Sequence, residues 1–259
     1  MKQMQPTTTQ SLYDPKLEHD ACGVGFVANV NGQREHRILA YALQALGNLA
    51  HRGALDADAS TGDGSGVLTQ LPHALFRRDV ERLHGRLRKE IDLGVGMVFM
   101  PNSRGYQVGC RRLVEEAVAR FDLHILGWRA VPINLGALGE KAGNTLPKIQ
   151  QILVGRPDGC DDIEFERRLF LARKVAESNI RDRKIPGFYI PSFSSRTIVY
   201  KGLLNAPDLG KFYPDLLNPL YDTALAIFHQ RYSTNTFPNW QLAHPFRVLA
   251  HNGEINTLS

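Results

Sequence analysis

The chain has 259 residues, 43% of them hydrophobic and 22% charged, an ordinary mixture for a folded domain that excludes a disordered chain. The longest apolar runs, such as residues 95–100, fall far short of the roughly 20 residues that span a bilayer, and residues 1–20 hold no apolar segment of the kind that directs export. A soluble, cytoplasmic protein without a membrane partner is expected. A net charge of +5 permits acidic partners. However, the densest basic stretch, Arg77, Arg78, Arg82, Arg86, Arg88 and Lys89, is diluted by Asp79, Glu81 and Glu90. Leu75, Phe76, Val80, Leu83 and Leu87 interleave with it at helical spacing, which reads as the solvated face of a helix and not as a nucleic-acid site.

Residues 1–21 are polar, contain Pro6 and Pro15 and carry no sustained periodicity, so they read as a leader before the fold begins. The run 22–30 is apolar, partly β-branched and closed by the turn pair Asn31-Gly32, which predicts a strand. Residues 34–48 place Ile38, Leu39, Ala42, Leu43, Ala45 and Leu46 on one face of a helix. After a glycine-rich loop ending at Gly66, the pattern predicts a strand at 67–71, a helix at 74–89, a buried strand at 93–100 and an amphipathic helix at 110–121. A strand at 149–154, a helix at 164–179 and paired strands around 188–190 and 197–200 follow. Two short apolar runs, 224–228 and 246–250, deliver polar residues at their ends: His229-Gln230-Arg231 and His251-Asn252-Gly253. With no repeat and no long linker, residues 22–259 read as one layered unit.

Several motifs fail on context. Gly23, Gly25 and Ala28 fit a dinucleotide-binding fingerprint, but no strand precedes them and a turn follows where a helix should open. Asp56, Asp58 and Ser60 begin like a calcium loop, yet Thr61 stands where glycine is needed and Val67 where glutamate is needed. The segment Gly62-Asp63-Gly64-Ser65-Gly66 lacks the lysine of a phosphate-binding loop. His229, His244 and His251 match no zinc spacing, and the three cysteines form no C-x-x-C pair, so neither a metal site nor a disulfide framework is expected.

Cys22 differs from Cys110 and Cys160 in its setting: the polar leader ends at Asp20-Ala21, and glycine directly follows the thiol at the start of a strand. A neutral-pH thiol is mostly protonated and needs a base to act as a nucleophile. If residues 1–21 are removed, the α-amine of Cys22 itself, with a pKa of about 7.7–8.0, can take the thiol proton directly or through water.

Cys22-Gly23-Val24-Gly25, His51-Arg52-Gly53-Ala54, Gly62-Asp63-Gly64-Ser65-Gly66, the octet from His229 to Thr236 and the octet from Leu249 to Asn256 occur in this order. Together they resemble the amino-terminal glutaminase domain of the glutamate synthase large subunit, from Cys22 to the last residue. The resemblance implies an α+β fold, the four-layer αββα sandwich of Ntn-hydrolases, incomplete at the C-terminal end. It implies that Cys22 attacks the carboxamide of L-glutamine, that Arg231 grips the substrate α-carboxylate, and that Asn252 and Gly253 donate to the oxyanion. It further implies that an acidic residue for the substrate amine lies outside the chain. So do the synthase domains with their FMN, iron–sulfur cluster and ammonia tunnel, and a small electron-supplying subunit; no cofactor is assigned to this chain. Two outcomes stay open: a portion that hydrolyses glutamine, or an inactive truncated remnant that keeps part of the pocket. The glycine-rich Gly62–Gly66 segment and His51–Ala54 match the family but receive no chemical step from sequence.

Overall fold

A computed structural model describes residues 23–58, 60–83, 85, 87, 89, 92–231 and 236–248. Among the described residues, eight strands form two four-stranded sheets. The first joins β1 (Gly23–Ala28), β2 (Ser65–Gln70), β7 (Thr197–Gly202) and β8 (Leu225–Gln230) in the order β1-β8-β2-β7. The second joins β3 (Leu93–Met100), β4 (His124–Ala130), β5 (Lys148–Gly155) and β6 (Tyr189–Ser194) in the order β4-β5-β3-β6. Every pairing is antiparallel. The helices are α1 (His36–Asn48), α2 (His73–Arg82), α3 (Arg104–Ala119), the short α4 (Glu140–Asn144), α5 (Asp162–Asp182) and the single turn α6 (Leu209–Phe212). The α+β class expected from sequence is the one observed.

Alternation along β3 explains how the second sheet is covered. Val95, Met97 and Phe99 belong to a cluster shared with Leu39, Ala42 and Leu46 of α1, Val67 of β2 and Ile198 and Tyr200 of β7, so this cluster ties the two sheets together. The intervening Val98 and Met100 join Leu113, Val114 and Ala117 of α3 and Phe165, Leu169 and Ala172 of α5 in a second cluster. A strand buried on both faces reads as a continuous apolar run, which is why residues 93–100 are legible end to end.

Inside the first cluster sits a satisfied polar network. Arg129 of β4 donates from both Nη atoms to Asp215 at 2.7 Å each, pairs through Nε with Asp79 of α2 at 2.6 Å and donates to Gln151 of β5 at 2.7 Å. Tyr200 donates its hydroxyl to Asp215 at 2.8 Å and accepts from Gln151 at 3.1 Å. Burial opposes the charge on Arg129, but the hydrogen bonds and charge of Asp215 outweigh it and hold the guanidinium more firmly protonated than usual.

Several elements differ from the sequence expectation, and the strands expected to pair around 188–190 and 197–200, β6 and β7, fall in different sheets. Helix α2 ends at Arg82 and not at Lys89, because the Gly85 N–H folds back onto the Val80 carbonyl at 2.9 Å and closes the last turn. Its basic side chains are solvated as expected, with Arg77 paired to Glu81 and Arg82 to Asp79. Strand β4 was not expected at all. Residues 246–248, part of an expected apolar run, belong to no strand, and residues 249 and 250 lie outside the described residues.

Candidate active site

The first sheet brings three of the sequence motifs to one end. β8 lies between β1 and β2, so Gln230 pairs with Gly23 on one side and with Ser65 on the other. Gly23 is bonded to Cys22, Gln230 to Arg231, and Ser65 to Gly64. The antiparallel register therefore converges the residue after the expected nucleophile, the residue before the expected carboxylate clamp and the glycine-rich segment.

Arg231 is buried, with 7% of its surface exposed. Its backbone N–H donates to the Gly64 carbonyl at 2.8 Å, its Nη1 approaches the Asp63 carbonyl at 3.5 Å, and its Nη2 donates to Thr236 Oγ1 at 2.5 Å. The segment Gly62–Gly66, without a role at the level of sequence, thus seats Arg231 through two carbonyl oxygens. Carbonyls carry no side-chain signature, and Asp63 and Arg231 lie 168 residues apart, so sequence reasoning could not reach this contact. Thr236 was legible only as the last residue of the octet that begins at His229.

His51-Arg52-Gly53-Ala54 acquires a structural reason as well. A 3-10 turn at Ala50–Arg52 leads into Gly53, where a Cβ would lie 2.1 Å from Nε2 of Gln230. Only glycine lets the turn approach the buried Gln230 so closely, and that side chain in turn donates to the Arg231 carbonyl at 3.2 Å.

The other cysteines are poor nucleophiles. Cys110 is fully buried in α3, and burial pushes its thiol up to about 11. Burial, aided by Glu164 and Asp161 and opposed by Arg168 and Arg156, also raises the Cys160 thiol above its ordinary value. Neither carries much thiolate at neutral pH. His229 and His244 lie with ring centroids 4.5 Å apart and ring planes tilted by 35°. Cys22, Asn252, Gly253 and His251 lie outside the described residues, as do Tyr232 to Asn235.

Two antiparallel sheets flanked by helices, with the residue after an expected nucleophilic cysteine opening a strand, define an α+β domain of the Ntn-hydrolase kind. Residues 22–259 match the model of the class-II glutamine amidotransferases, and the chain belongs to that family. It is 47% identical over 252 residues to the glutamate synthase [NADPH] large chain of Azospirillum brasilense, covering 97% of this chain and 17% of the relative. It is also 47% identical over 241 residues to ferredoxin-dependent glutamate synthase 2 of Synechocystis, covering 93% and 15%, and 42% identical over 255 residues to the glutamate synthase [NADPH] large chain of Bacillus subtilis, covering 98% and 17%. The chain thus spans about one sixth of the length of these relatives. Among the described residues, no helix is long and apolar enough to cross a membrane.

Proposed function

We propose that this chain is the glutamine-hydrolysing portion of a glutamate synthase large chain, acting through Cys22 as the first residue after removal of residues 1–21. The observation that carries the reading is the convergence at one end of the first sheet: Gly23, bonded to Cys22, pairs with Gln230, bonded to the buried Arg231. The Cys22 thiolate adds to the side-chain carboxamide carbon of L-glutamine while its α-amine takes the thiol proton. The carbon–nitrogen bond then breaks, and ammonia departs with that proton. Water adds to the γ-glutamyl thioester, the carbon–sulfur bond breaks, and glutamate and the free thiol are released. Arg231 holds the substrate α-carboxylate with its planar fork. The Asn252 side-chain amide and the Gly253 N–H stabilise the oxyanion; one such donor contributes about 2.7–4 kcal/mol to the transition state.

The ammonia would pass to 2-oxoglutarate in synthase domains of the same polypeptide. FMN, an iron–sulfur cluster and an electron-supplying subunit would belong to that part of the enzyme. Relatives named for NADPH and for ferredoxin match this chain equally well, which supports a hydrolytic role independent of the electron donor. The test is glutamate release from glutamine by the purified protein and by Cys22→Ala. The proposal requires activity in the first and none in the second; full activity in Cys22→Ala would overturn it, and inactivity of the folded native protein would favour the remnant reading.

A further inference from the structure

Helix α5 ends in a turn of the kind that glycine usually closes. The Ile185 N–H returns to the Ile180 carbonyl at 3.3 Å, the Lys184 N–H to the Arg181 carbonyl at 2.8 Å, and Lys184 itself stands in the left-handed region at φ 55°. A lysine is held there against the backbone preference, and it lines a cleft of about 530 Å³ between the end of α5, the start of β6 and Gln241 and Arg247. Ile180, Ile185, Phe188 and Tyr189 give the cleft an apolar wall, while Arg181, Lys184 and Arg247 bring positive charge to it. That volume and mixed lining suit a small molecule.

The positive charge is not balanced within the protein. Among the described residues, Glu177 is the one carboxylate that lines the cleft, and both of its oxygens already accept from Arg173 Nη1, at 2.9 and 3.1 Å. Arg181 has the exposed Asp182 at 3.9 Å, and Lys184 and Arg247 form no ion pair among the described residues. Arg247 Nη1 donates instead to the carbonyls of Ile190 at 2.5 Å and Pro191 at 3.3 Å. Behind the Tyr189 ring, 4.7 Å from its centroid, lies a further cation, Lys201 of β7, which donates to the Gln241 and Ala243 carbonyls at 2.8 and 2.7 Å. The carbonyl end of α5 supplies about half a negative charge, too little to offset these groups together. Burial first, and then the charge of Arg247, lower the proton affinity of Lys201. Burial and Arg247 act in the same direction on Arg173, where Glu177 opposes them.

We propose that this cleft binds a small organic anion, its carboxylate or phosphate held by Arg247 and Lys184 and its apolar part lying on Ile185 and Phe188. The anion supplies the countercharge that the surrounding elements lack. The planar fork of Arg247 has further N–H groups to donate beyond those of Nη1, and such charge-assisted bonds are the strong ones. Arg231 does not line the cleft, so the site is separate from the carboxylate clamp proposed for glutamine.

The test is calorimetric titration of the full chain with phenyl phosphate and with phenylacetate, beside inorganic phosphate and benzyl alcohol, which each carry half of the recognised chemistry. At least one of the two organic anions should bind at one equivalent in the millimolar range, about tenfold or more tighter than either half-probe. Arg247→Gln removes a charge-assisted donor and should weaken that binding about 10- to 100-fold. Lys184→Gly should weaken it about two- to fivefold while leaving the thermal midpoint unchanged or raised, because glycine suits the left-handed backbone. Excess L-glutamine should not displace the probe. Absence of saturable binding by both organic anions, or equal binding of a half-probe, would overturn the proposal. Displacement by L-glutamine would place the probe in the glutamine pocket and overturn it as well. Should Arg247→Gln lose its cooperative melting, Lys184→Gly decides alone: native affinity in that variant overturns the site.

Discussion

Replacing Arg231 with lysine is expected to weaken glutamine binding without dismantling the site. The backbone N–H of residue 231 bonds to Gly64, so the register of β8 does not depend on the guanidinium. One of its nitrogens is committed to Thr236 and another faces the Asp63 carbonyl, and the planar group fixes the directions of the remaining N–H bonds. Lysine keeps the charge but loses the two-pronged geometry, which amounts to one charge-assisted hydrogen bond of roughly 1.5–3 kcal/mol. At 1.4 kcal/mol per tenfold, KM for glutamine should rise about 10- to 100-fold, with kcat nearly unchanged. Steady-state release of glutamate, alongside a thermal melt to confirm folding, measures this. An unchanged KM, or a rise in KM matched by collapse of the melt, would refute the assignment of Arg231 to the substrate and leave it a purely structural ion.

Cys110→Ala and Cys160→Ala should both retain glutamine hydrolysis, since their raised thiol pKa values leave them inert; loss of activity in either folded variant would contradict this. Asp215→Ala removes two charge-assisted hydrogen bonds from the buried Arg129 and the acceptor of the Tyr200 hydroxyl, while Asp79 and Gln151 still engage the guanidinium. A loss of about 3 kcal/mol is expected from urea unfolding, and a loss below about 1 kcal/mol would show that the network contributes little. Asp58 accepts hydrogen bonds from Thr61, Ser60 and the Lys141 backbone, which hold its pKa below the ordinary 3.8. Because the folded value is the lower one, this contribution is fully present above pH 3.8 and is lost only as pH falls through the folded value. Amide exchange at Thr61 and Lys141 should therefore remain slow at pH 4 in the native protein, and be faster in Asp58→Asn at every pH above that.

Sequence reading was strongest where burial left a one-dimensional trace. The residues of β3 are apolar without interruption, and its bounds were legible at both ends. Helix α5 was found from its apolar face but begins two residues earlier than expected, at Asp162, because Asp161 caps it by accepting from the Glu164 N–H at 2.7 Å. Helix α3 begins at Arg104, six residues before its expected start, since its first turns expose Tyr106 and Val108 and give no apolar stripe. Strand β4 escaped notice for a related reason: it lies at a sheet edge, shows Ile125 to solvent, and its register shifts between Ile125 and Gly127. In the candidate site, the setting of the thiol marked Cys22 and the family resemblance marked Arg231, whereas the partners that seat Arg231 are backbone carbonyls brought close only by the fold.

The proposed chemistry stands on Cys22 as the nucleophile and on its own α-amine as the base. It is tested most directly by treating the active protein with a glutamine analogue whose carboxamide is replaced by a diazoketone, then locating the adduct by peptide mass spectrometry. One adduct is expected, on Cys22, in a peptide that begins at Cys22 with a free α-amine. An active protein that still carries Met1, or an adduct on Cys110 or Cys160, would contradict it.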